Sequence, residues 1–138
     1  MNNIENQRRQ LRQIYLNVWQ KMTLGHALEP MEERISIIIQ MHPEYHEIMK
    51  NKEVLNMDFN SEGIMNPFIH MGLHISIHEQ VGLDHPAGVQ EIYYQLAQKH
   101  QEPHKIEHLM IDCLSKNAKI HTQEINTSAY LECLKLQI

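Results

Sequence analysis

Three short segments of this chain, HPEYH at 42–46, NPFIHMGLH at 66–74 and HKIEH at 104–108, each carry two histidines four residues apart. The chain has 11 histidines, and random placement of that many would give roughly one pair at this spacing. Five are present: His42/His46, His70/His74, His74/His78, His100/His104 and His104/His108. Pro103 separates His100 from His104, and proline starts helices rather than continuing them, so that pair spans a break. Four pairs on three helical segments remain. Residues four apart share one helix face with Cβ atoms about 6 Å apart. Two imidazoles so placed can converge on one ion at about 2.1 Å from each ring nitrogen. Facing helices of a bundle supply further ligands. Glu44, Glu79 and Glu107 are the nearest acids, either as ligands or as partners that orient the imidazoles. His78 and Asp112 extend two of the stripes by a further turn.

Absent signatures narrow the chemistry. No H-E-x-x-H occurs, which excludes a zincin protease. No histidine has a glutamate three positions before it, which excludes the Glu-x-x-His pattern of ferritin-like di-iron proteins. A histidine-rich, carboxylate-poor set suits zinc, iron, copper or nickel and disfavours magnesium and calcium. Its nearest analogy in kind is a hemerythrin-like site. Simpler roles compete with ligation. His26, His85, His100 and His121 read as caps or surface residues, and His42, directly before Pro43, reads equally well as an N-cap. For the paired histidines, ligation and a buried hydrogen-bonded network both stay open. The nine methionines read as core filler, and Tyr45, Phe68 and Trp19 as core aromatics.

The elements that must position these residues are helices. Leu11, Tyr15, Val18, Trp19 and Met22 recur at spacings of three and four, which predicts one apolar stripe on a helix over 4–23, and Gly25 suits its end. Prolines then mark helix starts, because the N–H they lack has no partner in a first turn. Helices are expected over 30–41, 43–52, 67–81, 86–99, 103–119 and 128–136, with Asn66 and Thr127 as caps and a loop over 56–65. The expected fold is all-α, a compact bundle of six to seven short helices forming one domain over 1–138.

Bulk properties exclude several classes. A net charge of −5 leaves no broad basic surface, and the Arg8, Arg9, Arg12 cluster reads as a solvated helix face. No nucleic-acid partner is expected. No apolar run approaches the roughly 18 residues of a membrane span, and the first ten residues lack the apolar core of a signal peptide. No membrane partner is expected either. Cys113 and Cys133 form no C-x-x-C and read as buried free thiols, with a disulfide and thiolate ligation as lesser alternatives. The cytoplasm is the expected compartment.

At its three histidine boxes the sequence resembles a family of small, uncharacterised bacterial proteins grouped as a domain of unknown function. That family's pattern has an HPEYH box, an NPF-x-H-M-x-L-H box followed by E-Q, a P-x-G, an H-x-x-E-H box and a terminal Y-L-x-x-L. Here they fall on His42 to His46, Asn66 to His74, Glu79 and Gln80, Pro86 to Gly88, His104 to His108, and Tyr130 to Leu134. The resemblance covers most of the chain from Lys21 onward and implies no established activity. It implies that His42, His46, His70, His74, His104 and His108 are the functional histidines. Position 78, often arginine in that pattern, drops from the set, and Glu79 and Glu107 rise above Asp112.

The functional expectation is a metal-binding helical protein. Those six histidines hold a transition metal, zinc or iron first, with Glu44, Glu79 or Glu107 completing the sphere. If the site is catalytic, a metal-bound water is the expected nucleophile, with redox chemistry the alternative for iron. A second class is a non-catalytic interaction or regulatory module whose histidines form a buried polar or pH-responsive network. The sequence names no small-molecule or protein partner and leaves room for a homodimer.

Overall fold

A computed structural model describes residues 3–59, 66–119 and 124–138. The helices in it are α1 (Asn3–Leu24), α2 (Pro30–Gln40), α3 (His46–Met49), α4 (Pro67–Leu83), α5 (Val89–His100), α6 (Pro103–Asn117) and α7 (Thr127–Lys135). One two-residue antiparallel ribbon, β1 (Ala118–Lys119) and β2 (Glu124–Ile125), sits between α6 and α7 in the chain. The fold is therefore all-α, as the spacing of apolar residues requires. The chain forms two compact units, Met1–Gly72 and Leu73–Ile138, and the boundary falls inside α4. Among the described residues no helix is long and apolar enough to cross a membrane.

The first unit is built around Tyr15, Leu16 and Val18 of α1, Ile35, Ile38 and Ile39 of α2, and Phe68 and Met71 of α4. Gly25, at φ 71, ends α1 as expected, and the His26 N–H reaches back to the Lys21 carbonyl at 2.9 Å. Two expectations for α1 are corrected. Leu11 of the apolar stripe is 49% exposed, whereas Arg12, read as part of a solvated face, is 2% exposed. The cause lies in a 3-10 turn at Lys52–Asn56, whose last carbonyls take a further donor, Val54's accepting the Met57 N–H at 3.3 Å as well. Arg12 Nη1 donates to the carbonyls of Val54 at 2.9 Å, Leu55 at 3.3 Å and Met57 at 2.8 Å. Its guanidinium also stands 5.4 Å from the Phe59 ring centre and 5.3 Å from that of Phe68. A planar cation with several donors and an apolar stem suits that position.

The helix expected over 43–52 is shorter and split. Pro43–Tyr45 make a 3-10 turn that runs into α3, and Asn51 then caps the next 3-10 turn by accepting the Glu53 N–H at 2.9 Å. Most of the loop expected over 56–65, residues 60–65, lies outside the described residues, as does His121.

The second unit packs Ile77 of α4, Val89, Ile92 and Leu96 of α5, Ile106, Met110 and Leu114 of α6, and Tyr130 and Leu134 of α7 into one core. α5 starts at Val89, not at Pro86 as expected. Gly88 holds φ 96, which is not helical, and Asp84 Oδ1 accepts the N–H groups of Gly88 at 3.1 Å and Gln90 at 3.0 Å. α7 is capped by Asn126, which accepts the Ala129 N–H at 3.1 Å, not by Thr127. α6 stops at Asn117 because the next two residues leave for the ribbon. The buried Tyr130 O–H donates to Gln80 Oε1 at 2.6 Å, and burial raises its pKa above the ordinary tyrosine value.

Cys113 of α6 and Cys133 of α7 are joined in a disulfide, with Cα atoms 5.7 Å apart. This corrects the expectation of two free thiols. The sequence separates the pair by 20 residues and gives no local motif, but α6 and α7 pack against each other and bring the two faces together.

Candidate metal site

The part of α4 that lies in the second unit, together with α6, builds the site. The N-terminus of α4 is fixed by Asn66, whose Oδ1 accepts the N–H groups of Phe68 at 2.9 Å and Ile69 at 3.4 Å, ahead of Pro67 in the first helical position. That start sets the register in which Met71 and Ile77 are buried, and His74 falls on the same inward side at 0% exposure. α6 begins at Pro103 and buries Ile106, Met110 and Leu114, so His104, Glu107 and His108 share the turns between them. Spacing thus becomes geometry through one amphipathic helix, α6, and one that is mostly apolar, α4.

The rings of His104 and His108 lie 4.2 Å apart, centre to centre, and His74 lies 5.4 Å from His104 and 5.1 Å from His108. Each of the three offers a ring nitrogen, and these nitrogens lie within 4.8 Å of one another. Two nitrogens bound at 2.1 Å to a tetrahedral ion would be about 3.4 Å apart, a difference that small side-chain rotations cover.

Glu107 decides the chemistry of His74. Its Oε1 accepts from His74 Nδ1 at 3.0 Å and from His78 Nε2 at 2.7 Å. With Nδ1 committed as donor, the lone pair of His74 stands on Nε2, the tautomer that a metal needs. Glu107 is 4% exposed. Burial alone would raise its pKa, but the hydrogen bonds from His74 and His78 outweigh it and hold the carboxyl below the usual carboxylate range. The carboxylate therefore stays ionised and sits behind the imidazole as an orienting partner. In the H-x-x-E-H order of 104–108 the glutamate often acts as a base in other proteins; here Oε1 is engaged by two imidazoles. The fit to a metal rests on this donor chemistry: converging imidazole nitrogens, mostly buried, with one carboxylate fixing a tautomer.

The other predicted residues divide plainly. Glu44 and Glu79 are exposed, as is Asp112. In the first unit the His42 ring is 1% exposed, donates from Nδ1 to the Ile38 carbonyl at 2.7 Å and stacks on Tyr45 at 5.2 Å. It stands at the N-cap position of its turn, but its side chain does not cap it. His70 meets His42 edge-on at 5.0 Å and Tyr45 at 6.4 Å. His46 donates from Nε2 to the Ile39 carbonyl at 3.0 Å and lies against Trp19 at 4.7 Å. His78, set aside at position 78 of the family pattern, proves to be a partner of Glu107.

The family model of DUF1841, a domain of unknown function, matches residues 7–136. The chain belongs to that family. Membership in DUF1841 brings no activity with it, so the functional reading rests on the geometry just given. No curated protein and no solved structure matches the chain significantly.

Proposed function

We propose that this DUF1841 chain is a metal-binding protein in which His74, His104 and His108 hold one transition-metal ion. The observation that carries the reading is the convergence of three imidazole nitrogens next to a glutamate that fixes the tautomer of one of them. An all-imidazole donor set suits zinc, iron, copper and nickel, and zinc and iron are the ions to test first. When bound, such an ion supplies Lewis acidity towards a water or a substrate oxygen. The residues do the rest. His104 and His108, one turn apart on α6, present their rings from one helix, and Glu107 holds His74 against rotation. The sequence also names His42, His46, His70, Glu44 and Glu79 as ligands, and single substitutions read out as metal content decide whether any adds to the three.

The test is metal analysis of untagged protein from zinc- or iron-supplemented growth, with thermal unfolding recorded with and without added ion. Stoichiometric metal and a raised Tm are expected, since an ion that binds only the folded state stabilises it. Sub-stoichiometric metal with no shift would overturn the reading in favour of a buried His–Glu network in a non-catalytic module. A cytoplasmic location requires the Cys113–Cys133 pair to be reduced in the cell. Thiol alkylation in intact cells before lysis reads this directly, and protected thiols would place the protein in an oxidising compartment.

A further inference from the structure

In the second unit α7 touches both helices of the metal site. Its Cys133 is bonded to Cys113 of α6, and its Tyr130 O–H donates to Gln80 Oε1 of α4 at 2.6 Å. Cys113 stands five residues beyond His108 on α6, about 7–8 Å along the helix axis, and Gln80 stands six beyond His74 on α4. α7 itself has nine residues, too few to hold a helix in water without packing. What docks it is the disulfide, together with Tyr130 and Leu134, both fully buried in the core that α4, α5 and α6 share. The disulfide acts on the undocked state. It closes a loop over Cys113 to Cys133, so an undocked α7 stays tethered at Cys133 and gains little freedom. With the bond open the segment regains that freedom, and docking is less favoured. Undocking takes Tyr130 from Gln80 and withdraws Tyr130 and Leu134 from the core behind α4 and α6. Cys113 is 2% exposed whereas Cys133 is partly exposed, so a reducing thiol enters from the α7 side.

We propose that the Cys113–Cys133 pair is a redox switch on the metal site, which holds its ion tightly when the pair is oxidised and more weakly when it is reduced. The inference rests on the metal reading above. In the step itself a dithiol supplies two electrons and two protons. Its first thiolate attacks Sγ of Cys133, and Cys113 leaves as a thiolate and takes a proton. The second thiol then closes the reductant's own cyclic disulfide and frees Cys133 as a thiol. Neither cysteine is a ligand: the effect reaches His74, His104 and His108 through the hold that α7 keeps on α4 and α6 at once.

The experiment measures zinc affinity of the full chain by competition with a chromophoric chelator. The oxidised chain is compared with Cys113→Ala/Cys133→Ala, which has the bond open and adds no thiolates that take up zinc themselves. The variant should bind about tenfold more weakly, within the usual range of coupling between sites. Tyr130→Phe keeps the ring and the disulfide but not the hydrogen bond to Gln80, and should weaken zinc by a smaller factor, about threefold. Without metal, reduction of the wild-type chain by dithiothreitol should shift backbone amide resonances over 73–83 of α4 as well as those around the cysteines, while far-UV circular dichroism keeps most of its helix signal. Equal zinc affinity of the oxidised chain and the double variant, or amide changes confined to α6 and α7, would overturn the switch. Global unfolding on reduction would overturn it too, leaving the pair as a structural staple. If the oxidised chain binds no zinc, it is the metal reading that fails, and the switch falls with it.

Discussion

HPEYH at 42–46 and HKIEH at 104–108 have the same length, the same histidine spacing and a glutamate inside, yet they fold to different ends. HKIEH lies wholly within α6, so its two rings share a face and stand 4.2 Å apart. HPEYH crosses from a 3-10 turn into α3, and each of its imidazoles gives one nitrogen to a backbone carbonyl of α2, Ile38 for His42 and Ile39 for His46. Arg12 does the same for the 3-10 turn that follows. The first unit thus turns basic side chains onto carbonyls at helix ends, in addition to backbone bonds such as those of the His42 N–H to Ile39 and the Met57 N–H to Val54. The second unit has its helix ends satisfied by Asn126 and Asp84 and turns its histidines toward one another and toward Glu107. Spacing of four is a statement about one face only where the helix is continuous through it.

This contrast can be broken or sharpened by substitution. The largest effect belongs to the double variant His104→Ala/His108→Ala, which removes two of three converging nitrogens and should reduce metal affinity by more than about 1,000-fold, some 4 kcal/mol. Equilibrium dialysis against zinc measures it, and unchanged affinity would erase the difference between the two boxes. Next comes Arg12→Ala, which removes the side-chain donor shared by the carbonyls of Val54, Leu55 and Met57. It should lower stability by roughly 2–4 kcal/mol in urea unfolding and leave metal content alone. A loss of metal there would mean that the two units do not divide these tasks.

Glu107→Gln ranks third. The amide keeps the shape but cannot serve as a charged acceptor, so metal affinity should fall about 10- to 100-fold, the usual scale for a residue behind a ligand. Retained affinity would make His74 dispensable or its tautomer self-sufficient. The smallest change is expected for His46→Ala, which should cost about 1–2 kcal/mol of stability through a lost carbonyl donor and the packing on Trp19, again with full metal content. Reduced metal with unchanged stability would reverse the assignment and make HPEYH the second half of the site.

Helix existence was legible in the sequence because apolar periodicity and proline punctuation are local signals, and Pro30, Pro67 and Pro103 each open a helix as their chemistry dictates. Pro86 misled because Gly88 and Asp84 set the start of α5 three residues later. The convergence of His74 with His104 and His108 was half legible: spacing gave the α6 pair, but nothing local says which turn of α4 faces it. Glu107 was named as ligand or orienting partner, and only its contacts with His74 and His78 choose the second. Arg12 and the Cys113–Cys133 pair were misread for one shared reason. Both depend on partners 20 or more residues away, the carbonyls at 54–57 and the facing helix, and a basic or sulfur side chain carries no sign of such a partner in its own neighbourhood.

The claim that three imidazoles of the second unit hold the ion is tested most directly by X-ray absorption spectroscopy of the zinc-loaded protein beside its His104→Ala/His108→Ala variant. The wild-type spectrum should show imidazole scattering from nitrogens at about 2.0–2.1 Å, and that signature should be lost in the variant. A shell of oxygen or sulfur alone, or an imidazole signature that survives the double substitution unchanged, would contradict it.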